Sequence, residues 1–279
     1  MSDKSFSFKQ VSVESVQEKL KSLNVKKSQG YDLLPAKILK IGADVLSRGI
    51  TSILNLCAVK GIFPNSLKHA QVTPIYKKEC TMNKNNYRPV SILSAISKVF
   101  ESTYCDQLND YFNEIMSYEL SAYRKKYGCE AVILKCVEYF KCSLDNNETV
   151  GCVMMDLSKA FDSVPHCLLI AKLSAYGVKQ ESLELVKSYL SERKQRVKIN
   201  NEYSDWKLLE RGVPQGSLMG PILFNIFLND LLWVIQSKCV MFNYADDNTI
   251  VCSDKDPKIV QNTLEEACHI SIEWFKEII

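Results

Sequence analysis

Two β-rich runs, Val240–Tyr244 and Thr249–Cys252, are separated only by Ala245-Asp246-Asp247-Asn248. Short apolar runs joined by Asp and Asn, which favour turns through side-chain-to-backbone hydrogen bonds, predict a β-hairpin. Its tip would carry two adjacent carboxylates. A second acid closes another β-type run, Thr149-Val-Gly-Cys-Val-Met-Met-Asp156. That continuous apolar stretch predicts a strand buried on both faces. If these strands share a sheet, Asp156, Asp246 and Asp247 converge, and carboxylates so close repel unless a cation lies between them. An all-oxygen donor set without His or Cys suits Mg²⁺ better than zinc. Two such ions support in-line phosphoryl displacement, of which nucleotidyl transfer to a primer 3′-hydroxyl is one case.

The rest of the chain supplies a body for this hairpin. At 279 residues, with 46% hydrophobic and 24% charged, it suits one large domain or two lobes. No apolar run reaches the ~18 residues of a membrane span, and the N-terminal MSDKSFSFKQ lacks a signal core. Eleven cysteines, an odd number without Cys-x-x-Cys spacing, read as free thiols in a reducing, intracellular compartment. Net charge is only +3, but basic clusters recur at Lys26-Lys27, Lys77-Lys78, Arg124–Lys126 and Arg193–Arg196. Each alone reads as a solvated face; together they can line a groove for a phosphate backbone.

Periodicity predicts helices over Val11–Leu23, from Pro35 to about Lys60, and over Ile96–Phe112, Cys129–Leu144, Leu168–Tyr176 and Gln180–Ser191. An apolar helix from about Pro221 to Ile235 follows the glycine-rich Gly212-Val-Pro-Gln-Gly-Ser217. A last helix starts after Asp256, with Pro257 at its first position. Gln71–Tyr76 reads as a strand, and Gln195–Ile199 with Trp206–Glu210 as a strand pair. His166 follows Pro165 at a helix start, where capping or packing is its expected role.

Five ordered segments then resemble one family. Tyr244-Ala-Asp-Asp247 resembles the Tyr/Phe-x-Asp-Asp signature of reverse transcriptases, and Asp156-Leu-Ser-Lys-Ala-Phe-Asp162 their first catalytic motif. Gly212-Val-Pro-Gln-Gly-Ser-Leu-Met-Gly-Pro221 resembles the motif between them, and Asn86-Tyr-Arg-Pro-Val-Ser-Ile-Leu93 the fingers motif. Lys27-Ser-Gln-Gly-Tyr-Asp-Leu-Leu-Pro35 resembles the opening motif of the non-LTR retrotransposon branch, which includes jockey-like elements.

The resemblance implies an α+β right-hand fold: an antiparallel palm sheet backed by helices and a mostly helical fingers lobe. Residues 1–26 would be a helical extension, 27–148 the fingers and 149–279 the palm, with the thumb absent. It implies a polymerase copying an RNA template onto a DNA primer from dNTPs, with two Mg²⁺ ions for which Mn²⁺ can substitute. Asp156, Asp246, Asp247 and the Leu157 carbonyl would hold the metals. Phe161 would lie under the sugar and exclude a 2′-hydroxyl sterically. Gln215 and Gly216 would line the nucleotide pocket, where glycine admits close backbone approach. Arg88 would reach the triphosphate, with Lys77 or Lys78 adding charge. Arg124 and Lys125 would lie near the template.

The chain departs from the family at Met219, usually Leu, and at Ala122, usually Gly. The resemblance also leads one to expect endonuclease and thumb regions beyond this sequence, an intracellular location, cytoplasmic, nuclear or both, and no membrane partner. Two other readings compete: a non-catalytic RNA-binding remnant that keeps the fold, and an RNA-templated polymerase making RNA, which Phe161 disfavours.

Overall fold

The computed structural model describes residues 4–124, 127–157, 160–236 and 239–278. Helix α1, Val13–Lys21, starts where Ser12 accepts a hydrogen bond from the Ser15 N–H, and it buries Val16 and Leu20. The helix expected from Pro35 is two helices, α2 Ala36–Ile41 and α3 Ala43–Lys60, interrupted at Gly42. Gly61 ends α3 in the left-handed region at φ +64°. A side chain has no room there, since an added Cβ would lie 2.8 Å from Glu184 Cβ.

Strands β1, His69–Tyr76, and β2, Tyr87–Leu93, form an antiparallel hairpin closed by the Lys77 N–H on the Asn86 carbonyl at 2.9 Å. Strand β2 has no counterpart in the sequence reading, because Pro89 argues against a strand. The sheet tolerates it on an edge: β2 is outermost, and Pro89 pairs with Pro74 beyond the register that β1 shares with its other neighbour.

Next come α4 Ala95–Phe112, α5 Cys129–Asp145, β3 Thr149–Asp156, the single turn α6 Ala160–Ser163, α7 His166–Ala175 and α8 Gln180–Leu190. Strands β4 Lys194–Ile199, β5 Glu202–Tyr203 and β6 Lys207–Leu208 follow, then α9 Met219–Ile235, β7 Val240–Tyr244, β8 Asp247–Asp254 and α10 Pro257–Ile278. Asp256 caps α10 by accepting from the Lys258 N–H at 2.9 Å.

The chain forms two compact units. The first comprises Met1–Leu108 and His166–Gly220, the second Asn109–Pro165 and Pro221–Ile279. In the first unit the sheet order is β2-β1-β4-β5, with β6 also paired to β4, and β1 runs parallel to β4. Its core includes Phe63, Leu93, Phe100, Leu108 and Tyr189. Gly30 of the opening motif sits against the Ser94 backbone, where a Cβ would meet Ser94 Cα at 2.6 Å.

The second unit is built on an antiparallel sheet of order β3-β8-β7. One face packs on α10. Gly151 is the contact point, and a Cβ there would stand 2.5 Å from Val260 and 2.6 Å from Leu264. The expectation that β3 is buried on both faces does not hold. β3 is an edge strand, and Met154 is 82% exposed on the face away from α10. The other face is covered only in part: α5 reaches it where Tyr139 meets Phe242 edge-on and its hydroxyl lies 3.2 Å from that of Ser253, while the sheet edge at Met154 stays open. No described helix is long and apolar enough to cross a membrane.

Candidate active site

In the second unit, register decides which acids meet. β3 and β8 pair from Thr149↔Asp254 to Asp156↔Asp247, and β7 and β8 pair from Val240↔Val251 to Tyr244↔Asp247. Residues directly opposite in an antiparallel ladder project to the same face, with Cβ atoms about 4.5–5.5 Å apart. Asp156 and Asp247 therefore stand side by side, both exposed, on the face away from α10. No described lysine or arginine forms an ion pair with them.

Asp246 occupies the turn with Ala245, whose backbone lies at φ +59°. Two buried asparagines, opposite one another in register, hold this turn. Asn243 Nδ2 donates to the Ala245 carbonyl at 2.9 Å and to Asn248 Oδ1 at 2.7 Å. Asn248 Nδ2 donates to the Asp246 carbonyl at 3.0 Å. The turn carbonyls thus have fixed partners, which offsets the cost of left-handed backbone at a non-glycine residue. The three carboxylates are not drawn into a cage: among the described residues no group of three acidic, His or Cys side chains is tight enough to hold an ion. What the sheet provides is an opposed carboxylate pair with a third acid on the adjoining turn, an oxygen-only set that suits a hard divalent cation.

Behind Asp156 and Leu157 lies a cavity of about 280 Å³, lined also by Ala160, Val164, Phe224, Phe227 and Phe275. Phe161 stacks on Phe224, with centroids 4.4 Å apart and planes at 24°, and meets Tyr123 edge-on at 6.2 Å. Its half-buried ring is thereby fixed in orientation. Arg124 is 9% exposed. Its guanidinium donates to the carbonyls of Ser117 at 2.7 Å, Leu120 at 2.9 Å and Asn113 at 3.2 Å, and lies over Tyr127. Those bonds tie the 113–124 segment together. Lys125 lies outside the described residues.

The first unit carries the remaining candidates. Arg88 is exposed on β2, opposite Ile75, and Lys77 and Lys78 are exposed at the hairpin loop. The glycine-rich loop docks on the β2 edge, where the Gln215 carbonyl accepts from the Ser91 N–H at 2.7 Å. Gly216 adopts φ +119°, and a Cβ there would lie 2.4 Å from the Ser91 carbonyl oxygen. Close approach to the Ser91 backbone requires a glycine here.

Three side chains hold this loop, and of them Glu101 has no place in the motifs. Ser217 Oγ accepts from the Gly220 N–H at 3.0 Å. His166 Nε2 lies 2.7 Å from the Gly212 carbonyl, a contact that needs the proton on Nε2 and fits the packing role expected of it. Glu101 is wholly buried, and its carboxylate accepts from the Leu218 N–H at 2.5 Å and the Met219 N–H at 3.4 Å. It thereby satisfies free donors at the start of α9. Burial raises the Glu101 pKa, opposed by nearby Arg193 and by these N–H donors. Glu101 was detectable only by its spacing, since Ser97, Glu101, Tyr104 and Leu108 share one buried helix face.

Comparison with known proteins agrees with the motifs. Residues 75–278 match the family described as reverse transcriptase (RNA-dependent DNA polymerase). Over 99% of its length the chain is 29% identical to the probable RNA-directed DNA polymerase from transposon BS of Drosophila melanogaster, covering 31% of that protein. It is 27% identical, over 95% of its length, to the RNA-directed DNA polymerase from mobile element jockey of the same species, covering 30% of it. A 26% identity over 71% of the chain links it to the Pol polyprotein of type-1 retrotransposable element R2 of Popillia japonica. The chain thus spans about a third of the length of the curated relatives it matches. An opposed pair of acids, an Asp-Asp turn and a family match over most of its length lead to one conclusion: this chain belongs to the reverse transcriptases, with relatives among the non-LTR retrotransposons.

Proposed function

We propose that this chain performs RNA-directed DNA synthesis, adding dNTPs to a primer 3′-hydroxyl on an RNA template. The observation that carries the reading is the register that sets Asp156 opposite Asp247, with Asp246 on the adjoining turn. In this reading Asp156, Asp246, Asp247 and the Leu157 carbonyl hold two Mg²⁺ ions. When bound, those ions activate the attacking hydroxyl and stabilise the leaving oxygen. Phe161, held by Phe224, blocks a ribose 2′-hydroxyl. Arg88, with Lys77 or Lys78, supplies charge for the triphosphate, and Gly216 lets backbone approach the nucleotide. The palm-and-fingers architecture, with fingers over 27–148 and palm over 149–279, is part of the same proposal.

Primer extension on poly-rA with oligo-dT and Mg²⁺ tests it. Asp156→Asn and Asp246→Asn should each lower incorporation by about 1,000-fold or more, equivalent to ~4 kcal/mol of transition-state stabilisation. Wild-type incorporation that survives either change would remove the acids from the chemistry.

The competing reading is a catalytically inactive RNA-binding remnant of a mobile element. Template binding by the wild type without any incorporation, in Mg²⁺ or Mn²⁺, would decide for it.

A further inference from the structure

The first unit's sheet has a polar face. Gln71 lies in register between Ile92 of β2 and Arg196 of β4. Strand alternation then places His69, Gln71 and Ile75 on the face shared with Lys194, Arg196 and Lys198, and with Arg88, the partner of Ile75. Ala70, Val72 and Leu93 take the other face and are buried.

Aromatic rings gather on the polar face around one cation. The Arg196 guanidinium carbon lies 4.1 Å from the Tyr203 centroid and 4.6 Å from that of Trp206. Lys198 Nζ is 5.4 Å from Tyr203. Trp206 also meets His69 edge-on at 5.1 Å, and Tyr31 lies beyond it. Tyr203 is 44% exposed and Trp206 36% exposed, so both rings still offer surface to solvent. Ordinary packing on a solvated sheet face accounts for the rings. It does not account for two buried donors beneath them. Gln71 is 3% exposed and its Nε2 has no acceptor, and Arg196 Nε has none either. Buried donors are nearly always paired, and leaving one unpaired costs about 1–3 kcal/mol.

Rings, fixed cations and donors awaiting an acceptor on one face match the chemistry of single-stranded nucleic acid. Bases stack on aromatic faces without sequence preference, while phosphate or base oxygens take the donors. We propose that Tyr203, Trp206 and Arg196, with Lys198 and Gln71, form a stacking platform for the unpaired stretch of the RNA template. The proposal deepens the polymerase reading, because the platform shares its face with Arg88. Four residue steps of β1 separate Gln71 from Ile75, about 13 Å along the strand. A few nucleotides of backbone cover that distance.

The test is fluorescence anisotropy of a labelled 12-nucleotide rA oligomer with the whole chain, at several salt concentrations, beside primer extension. Trp206→Leu keeps apolar bulk but removes the π-face, and Trp206→Phe restores it. Stacking worth about 1–3 kcal/mol per base predicts a loss of affinity of about 5-fold or more for Trp206→Leu, with an unchanged salt slope and recovery in Trp206→Phe. Lys198→Ala should instead lower the salt slope by about 1. Thermal melting of each variant separates misfolding from lost contact, and Tyr203→Leu repeats the test on a more exposed ring. Should Trp206→Leu and Tyr203→Leu both bind the oligomer like wild type, the platform is refuted, whatever protein partner the face serves. Asp246→Asn should bind the oligomer normally. A wild type that binds it but incorporates nothing would overturn the polymerase reading and leave the platform standing.

Discussion

Replacing Glu101 with alanine should be among the most damaging single changes to the first unit. The substitution removes the acceptor of the Leu218 N–H, at 2.5 Å, and of the Met219 N–H, at 3.4 Å. It also leaves Arg193, 1% exposed and with one guanidinium nitrogen already unpartnered, without its nearby carboxylate. Removing one member of such a buried charged group costs about 3–5 kcal/mol, because the other is stranded. That is a large share of the ~5–15 kcal/mol that holds a domain folded. Glu101→Gln keeps the size and one acceptor oxygen, so about 1–2 kcal/mol is expected.

Urea unfolding measures the loss, and hydrogen exchange at the Leu218 amide shows whether it originates at the start of α9. The pH dependence has a definite sign. Burial raises the folded-state pKa of Glu101 above its ordinary 4.5, so the folded chain keeps a proton that the unfolded chain has released. The contribution of Glu101 to stability therefore falls as pH rises from about 4.5 towards the raised folded value, and is level above it. The gap between wild type and Glu101→Gln should narrow across that window. A Glu101→Ala chain within 1 kcal/mol of wild type, or a gap that widens with pH, would refute this account of the loop anchor.

Two further outcomes follow from close packing. Gly151→Ala pushes a methyl into Val260 and Leu264, at 2.5 and 2.6 Å, and should cost the second unit about 1–3 kcal/mol in urea unfolding. Gly216→Ala meets the Ser91 carbonyl oxygen at 2.4 Å from a φ of +119°. It should destabilise the first unit by at least as much in urea unfolding and raise KM for dNTP; an unchanged KM in the folded variant would mean that the loop does not shape the nucleotide site.

How much of this was legible in the sequence depends on the distance over which each signal acts. The hairpin and its Asp-Asp turn were readable because turn chemistry is local, and most helices because periodicity is local. The family and the identity of its acids were readable from ordered motifs. Strand β2 was not, because Pro89 looks like a breaker until pairing places it on an edge. The exposure of β3 was not, because an apolar run does not reveal how many faces are covered, and Met154 is apolar yet open. The anchoring roles of Glu101 and His166 depend on partners more than 40 residues away, which no window of sequence contains. The burial of Arg124, expected near the template, was not legible, because it depends on carbonyls of its own segment taking its donors.

The ladder from Thr149↔Asp254 to Asp156↔Asp247 works as a ruler. Side chains alternate with a period of two, so inserting or deleting one residue within either strand turns every later side chain to the opposite face. A single-codon gain or loss there would swing an aspartate away from its partner while leaving every acid present. Among eroded copies of such an element, intact spacing between residues 149 and 156, and between 247 and 254, is therefore a sharper sign of a working site than the presence of the aspartates themselves.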